Sequence, residues 1–143
     1  MPETPGAAPA EPALPGRPLR ILVVDDDKEA SLAIRRALEH LGHSAAVCGL
    51  PQEALTLLQQ RKEFDLLLID YRMPEMTGLD LVQMLRLDGC KIPVIMMTGY
   101  LATEDRLPTD DAGIIALLRK PITLPQLARA LEGPPVGAGS SVA

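Results

Sequence analysis

The apolar positions of this chain fall into five short runs, and between most of them the apolar spacing becomes helical. Residues 66–69 are Leu-Leu-Leu-Ile, unalternated and too few for a helix, as in a strand covered on both faces of a parallel sheet. Ile21-Leu22-Val23-Val24 reads the same way and delivers Asp25-Asp26-Asp27 at its end. The smaller side chains of residues 44–48 predict an edge strand. Residues 92–97 predict a fourth strand with Pro93 confined to its beginning, and residues 114–118 a fifth.

After Asp27, a plausible cap, Leu32 or Ala33, Ala37, Leu38 and Leu41 share a helical face that Gly42 ends. Pro51 opens a second helix bearing Ala54, Leu55, Leu57 and Leu58. Leu81, Val82 and Leu85 place a third over about residues 78–87. Thr123 with Gln126 forms a capping box for a last helix carrying Leu124, Leu127, Ala128 and Leu131. Residues 103–112 should hold one more crossover helix, shortened or broken by Pro108 and offering only Leu107 and Ala112 to a core. Strands alternating with helices predict an α/β fold, a doubly wound five-stranded parallel sheet of order 2-1-3-4-5.

Composition narrows the picture. With 143 residues and 47% hydrophobic content the chain has room for one domain, expected over residues 19–132. A Pro/Ala-rich leader, residues 1–18, and a Pro/Gly/Ser-rich tail, residues 133–143, read as disordered or flexible. The leader lacks the basic start and apolar core of a signal peptide, and no apolar run reaches the length of a membrane span. A net charge of −5 with scattered Lys and Arg argues against a nucleic-acid surface. Cys48 and Cys90 show no metal-type spacing and read as reduced thiols of a cytoplasmic protein. His40 and His43 flank a helix end where a cation suits the dipole, Glu75 and Asp80 are assigned to solvent, and Met73, Met76, Met84, Met96 and Met97 to core filling.

The predicted strand order reverses between the first and third strands, so Asp25 and Asp26 come beside Asp70, the residue that stops the central apolar run. Two carboxylates ~4 Å apart repel by about 4 kcal/mol at an effective dielectric near 20, and a divalent cation relieves that repulsion. An all-oxygen, partly open site suits Mg²⁺; only Cys48 among the cysteines and histidines falls at a nearby strand end, which disfavours zinc. Thr98 and Lys120 reach the same rim from strands four and five with a hydroxyl and a mobile positive charge, groups that hold phosphoryl oxygens. A carboxylate so placed can attack phosphorus and form an aspartyl phosphate, and Asp70 is the candidate nucleophile, with Asp25 and Asp26 as metal holders.

Val23-Val24-Asp25-Asp26, Asp70 with Met73-Pro74 and Gly78, Thr98-Gly99 and Lys120-Pro121 together resemble the receiver domain of two-component response regulators. The phrase Asp70-Tyr71-Arg72-Met73-Pro74 and the run Leu117-Leu118-Arg119-Lys120-Pro121 are similar to the receivers of hybrid histidine kinases. The resemblance implies a flavodoxin-like receiver fold and an Asp70 that accepts phosphate from a histidine kinase or a histidine phosphotransfer protein. It implies Mg²⁺ on Asp26, Asp70 and the carbonyl of Arg72, with Asp25 helping through water. Thr98 and Lys120 would touch the phosphoryl group, and the Lys120-Pro121 peptide is often cis in such proteins. Arg72 and Tyr100 would overhang the pocket and tune how fast the phosphate is lost. Leu117 stands where many receivers carry an inward-swinging Tyr or Phe, so an aromatic switch is not available.

These readings give an expected function: a stand-alone phosphoacceptor, in a phosphorelay or signalling through a downstream protein, with no output domain after Glu132. It is expected to be no enzyme beyond its own phosphorylation and slow dephosphorylation. The alternatives are an interaction module that works without phosphate on the same fold, which the intact set Asp26, Asp70, Thr98 and Lys120 argues against, and a Mg²⁺-dependent phosphohydrolase.

Overall fold

The computed structural model describes residues 18–60, 63–99 and 113–132. Five parallel strands, β1 (Arg20–Val24), β2 (Ser44–Cys48), β3 (Leu66–Asp70), β4 (Val94–Thr98) and β5 (Ile114–Arg119), form one sheet in the order β2-β1-β3-β4-β5. Four helices are described: α1 (Lys28–His40), α2 (Pro51–Gln60), α3 (Gly78–Leu87) and α4 (Leu124–Leu131). The expected helix over residues 103–112 with its Pro108, Tyr100, residues 1–17 of the leader and the tail all lie outside the described residues.

The unalternated runs are explained by two cores, one on each face. Leu22, Val24, Leu67, Ile69, Val94 and Met96 point to the face packed by Ala54 and Leu58 of α2 and by Leu81, Val82 and Leu85 of α3. Ile21, Val23, Leu66, Leu68, Ile95 and Met97 point the other way, onto Ile34 and Leu38 of α1 and Leu127 and Leu131 of α4. Alternate residues thus serve opposite cores, and the central strands must be apolar throughout. Asp27 caps α1, accepting the Glu29 and Ala30 N–H groups, and Gly42 with φ +97 turns the chain after it. The Thr123–Gln126 capping box opens α4.

Several local expectations change. Leu32 and Ala33 are exposed, and the buried face of α1 is Ser31, Ile34 and Leu38; Ser31 is small enough to sit against the sheet, its hydroxyl satisfied by the Lys28 carbonyl. Met84 is 40% exposed on the outer face of α3 rather than core filling. Asp80 completes a capping box with Thr77 instead of facing only solvent, because the α3 terminus has N–H groups to satisfy. Ile92 and Pro93 precede β4, which extends instead to Thr98. The fifth strand runs one residue further than predicted. A register shift pairs Val94 with Ile114 but Ile95 with Ala116, so Ile115 is an extra residue and Leu117 turns toward the α2/α3 core.

Candidate functional site

The register of the central strands builds the site. Val24 pairs with Ile69, so Asp25, one residue on, lies beside Asp70, and Asp70 in turn pairs with Met97 next to Thr98. Lys120 follows β5, its N–H donating to the Thr98 carbonyl at 2.8 Å. Asp25, Asp70 and Thr98 are buried, at 1%, 6% and 2% exposure, while Asp26 is open to solvent. One carboxylate oxygen from each of Asp25, Asp26 and Asp70 lies within 4.8 Å of the others.

Lys120 crosses this cluster. Its ammonium is 2.8 Å from Asp25 Oδ2 and donates to Asp70 Oδ2 at 3.3 Å. The other Asp25 oxygen accepts the Asp27 N–H at 2.9 Å, whereas Asp25 Oδ2 is buried and has the ionic contact without an aligned hydrogen bond. Burial and the charge of Asp25 push the Asp70 carboxyl up to about 6, partly opposed by Lys120 and by the Arg72 backbone N–H that donates to it. Burial works against the Lys120 ammonium, but Asp25 and Asp70 outweigh it and raise its pKa.

The pocket therefore holds three carboxylates against one ammonium, with an under-satisfied oxygen at its base. Its donors are hard oxygens only and Asp26 keeps it open to water, which fits a Mg²⁺-type cation that retains part of its hydration. Cys48 does not join the set: burial, then the charge of Glu53, pushes its thiol up to about 12 against the opposing Leu50 N–H.

The structure gathers Asp25, Asp26, Asp70, Thr98 and Lys120 at one rim, with the Arg72 peptide against Asp70 and the Arg72 side chain exposed. Tyr100 lies outside the described residues. Three supports, including the packing reason for the motif residue Gly78, escaped the sequence reading. The Lys120–Asp25 pair is closer than Lys120–Asp70, and no motif distinguishes the two. At Gly78 a Cβ would fall 2.5 Å from the Asp70 carbonyl oxygen and 3.0 Å from Met96 Sδ, so only glycine lets α3 approach β3 this closely. The Thr77–Asp80 box was legible as a Thr with an acid three residues later.

A five-stranded parallel sheet of this order with an acidic pocket at its switch point defines the receiver class of signalling domains. The chain belongs to the response regulator receiver domain family, whose model matches residues 21–132. It is 33% identical over 132 residues to the response regulator MprA of Mycolicibacterium vanbaalenii, covering 88% of this chain and 57% of that protein. It is 39% identical over 105 residues to the two-component response regulator ARR14 of Arabidopsis thaliana, covering 73% of this chain and 28% of the relative. The chain thus spans about half the length, or less, of the curated relatives it matches. Among solved structures, the receiver domain of Francisella response regulator 1452 superposes with a TM-score of 0.71 at 29% identity, covering 79% of this chain and 93% of that one. A CheY-like receiver domain from Methylobacillus flagellatus gives 0.72 at 26% identity, covering 80% and 97%. No helix among the described residues is long and apolar enough to cross a membrane.

Proposed function

We propose that this domain accepts a phosphoryl group on Asp70 from the phosphohistidine of a histidine kinase or histidine phosphotransfer protein, with Mg²⁺ held by Asp25, Asp26, Asp70 and the Arg72 carbonyl. The observation that carries the reading is the pocket itself, three carboxylates within 4.8 Å of one another crossed by Lys120, in a chain of the receiver family.

In the transfer an Asp70 carboxylate oxygen forms a bond to phosphorus as the histidine N–P bond breaks, and the imidazole nitrogen keeps the electron pair and takes up a proton. Asp70 attacks as the carboxylate, so the step falls off in acid as that carboxyl takes up a proton. Bound Mg²⁺ supplies positive charge that offsets the crowded carboxylates and the arriving phosphoryl oxygens. Lys120, already between Asp25 and Asp70, moves its charge onto a phosphoryl oxygen, and the Thr98 hydroxyl donates to another. The phosphoryl group stays on the protein until water or a downstream acceptor removes it, so the domain is a switch or relay element rather than a turnover enzyme. This reading puts it in the cytoplasm, acting on proteins and not on nucleic acid.

Incubation with phosphoramidate and MgCl₂, followed by intact mass, tests the reading. One added phosphoryl group on the wild type and none on Asp70→Asn is the expected result. Equal uptake by both proteins, or catalytic release of phosphate from a model ester, overturns it.

A further inference from the structure

The connection between β3 and α3, residues 71–77, is pinned at both ends. The Tyr71 N–H donates to the Met97 carbonyl at 2.7 Å, and the Gly78 N–H donates to the Tyr71 carbonyl at 2.7 Å. Between those anchors the Met76 N–H donates to the Pro74 carbonyl at 2.9 Å, closing a three-residue turn over Glu75, whose φ is +79. This matches the positive-φ γ-turn, the rarer and more strained of the two forms. Glu75 is the one non-glycine residue with positive φ among the described residues. A strained conformation of this kind persists where its surroundings hold it. One side-chain contact reaches the turn from another element: Gln52 Nε2, in the first turn of α2, donates to Glu75 Oε1 at 3.2 Å.

Arg72 sits between the Tyr71 anchor and this turn, two residues beyond Asp70, and its backbone N–H faces the Asp70 carboxylate and favours its charged form. We propose that the Gln52–Glu75 hydrogen bond is a positioning contact for the Asp70 site: it holds the strained turn, and the turn fixes the Arg72 peptide against the Asp70 carboxylate. Neither side chain touches the reacting atoms. The proposal rests on the reading of Asp70 as phosphoacceptor and of its pocket as a Mg²⁺ site. The net worth of an exposed hydrogen bond is of the same order as the penalty of one residue held at positive φ. Removing it therefore shifts the population of the turn without unfolding the domain.

The test uses the full chain carrying Gln52→Ala, Glu75→Gln, Glu75→Gly, or Gln52→Ala with Glu75→Gly. Three readouts apply: the Arg72 amide resonance in metal-free protein, the Mg²⁺ Kd by titration calorimetry, and the rate of phosphorylation by phosphoramidate. Gln52→Ala is expected to move the Arg72 amide and to weaken Mg²⁺ binding by about threefold, the loss of one exposed hydrogen bond. Glu75→Gln keeps an acceptor for Gln52 and should match the wild type. Glu75→Gly loses the bond together with the strain it opposes, so it should also bind Mg²⁺ like the wild type, and adding Gln52→Ala to it should change nothing further. An unmoved Arg72 amide or an unchanged Mg²⁺ Kd in Gln52→Ala overturns the proposal, as does an equal loss in the Glu75→Gly background. If the wild type takes up phosphate on Asp70 while Gln52→Ala behaves identically, this inference alone fails. If the wild type takes up none, the functional reading fails with it, and the Arg72 amide still decides whether the turn depends on Gln52.

Discussion

Asp65 and Asp70 bracket the same strand and live in opposite electrical surroundings. At the amino rim of the sheet the Asp65 carboxylate accepts the Arg20 N–H at 2.9 Å while its own N–H donates to the Arg20 carbonyl at 2.7 Å, joining the starts of β1 and β3. His43 does similar work on the other side, where its Nδ1 accepts the Leu19 N–H at 2.9 Å. At the carboxyl rim Asp70 is buried beside Asp25 and shares Lys120 with it. At the amino rim Asp65 and His43 each accept a backbone N–H. The carboxyl rim gathers more negative charge than the protein neutralises, and that imbalance is what a cation and a phosphoryl group can use.

The largest test of this contrast is Asp70→Asn, expected to abolish phosphoryl uptake completely in the mass assay while leaving the fold intact. Next comes Gly78→Ala. Its Cβ would lie 2.5 Å from a backbone oxygen that cannot move aside, so a loss of about 2–3 kcal/mol in urea unfolding is expected. A change below about 0.5 kcal/mol would mean that α3 is not held against Asp70 as described.

The third test is pH. In chelator, the folded protein holds the Asp70 proton up to about 6, whereas the unfolded chain releases it in the ordinary carboxylate range. The folded state therefore binds more protons between those values. This contribution to stability is complete below about pH 4 and is lost as pH rises through about 6, for a total on the order of 3 kcal/mol. Asp70→Asn removes that loss and should be the more stable protein at pH 7, since Lys120 keeps Asp25 as its partner. Urea midpoints of both proteins across pH 4–7 check this, and parallel curves would show that Asp70 is not crowded.

Much of this was legible because it depends on residue type and period. Apolar runs ending in acids gave buried strands, and the alternation with helices fixed the order that brings Asp25 to Asp70. What stayed hidden depends on geometry that spacing does not encode. Ser31 replaces Leu32 on the buried face of α1 because packing against the sheet favours a small side chain there. The extra residue at Ile115, which decides the face of Leu117, leaves no mark in a run of five apolar residues. His43 reads as a cation for a helix end, yet burial lowers its pKa and its ring accepts a backbone N–H as the neutral form. The positive φ of Glu75 is equally silent, since glutamate is no signature of a turn that glycine suits better.

A smaller effect is expected at the amino rim from Asp65→Ala. It leaves the Arg20 N–H without its carboxylate and should lower stability by about 1 kcal/mol while phosphorylation proceeds at the wild-type rate. A slowed phosphorylation in this variant would break the separation between the two rims.

The smallest effect sharpens the contrast because its sign is reversed. His43 has a lowered pKa in the folded protein, caused by burial, so the unfolded chain binds the proton first as pH falls. The stabilisation from the neutral ring is present above the ordinary histidine pKa and is lost as pH drops through the lower folded value. Asp70 acts oppositely, destabilising the metal-free protein as pH rises. In the wild type the two trends run in opposite directions with pH. The Asp70→Asn background exposes the histidine alone, and stability there should decline slightly as pH falls below about 6.5. Adding His43→Asn, whose side-chain oxygen can still accept the Leu19 N–H but does not titrate, should flatten that decline. If the slope survives the second substitution, the acid sensitivity arises elsewhere and the amino rim is not governed by a neutral imidazole.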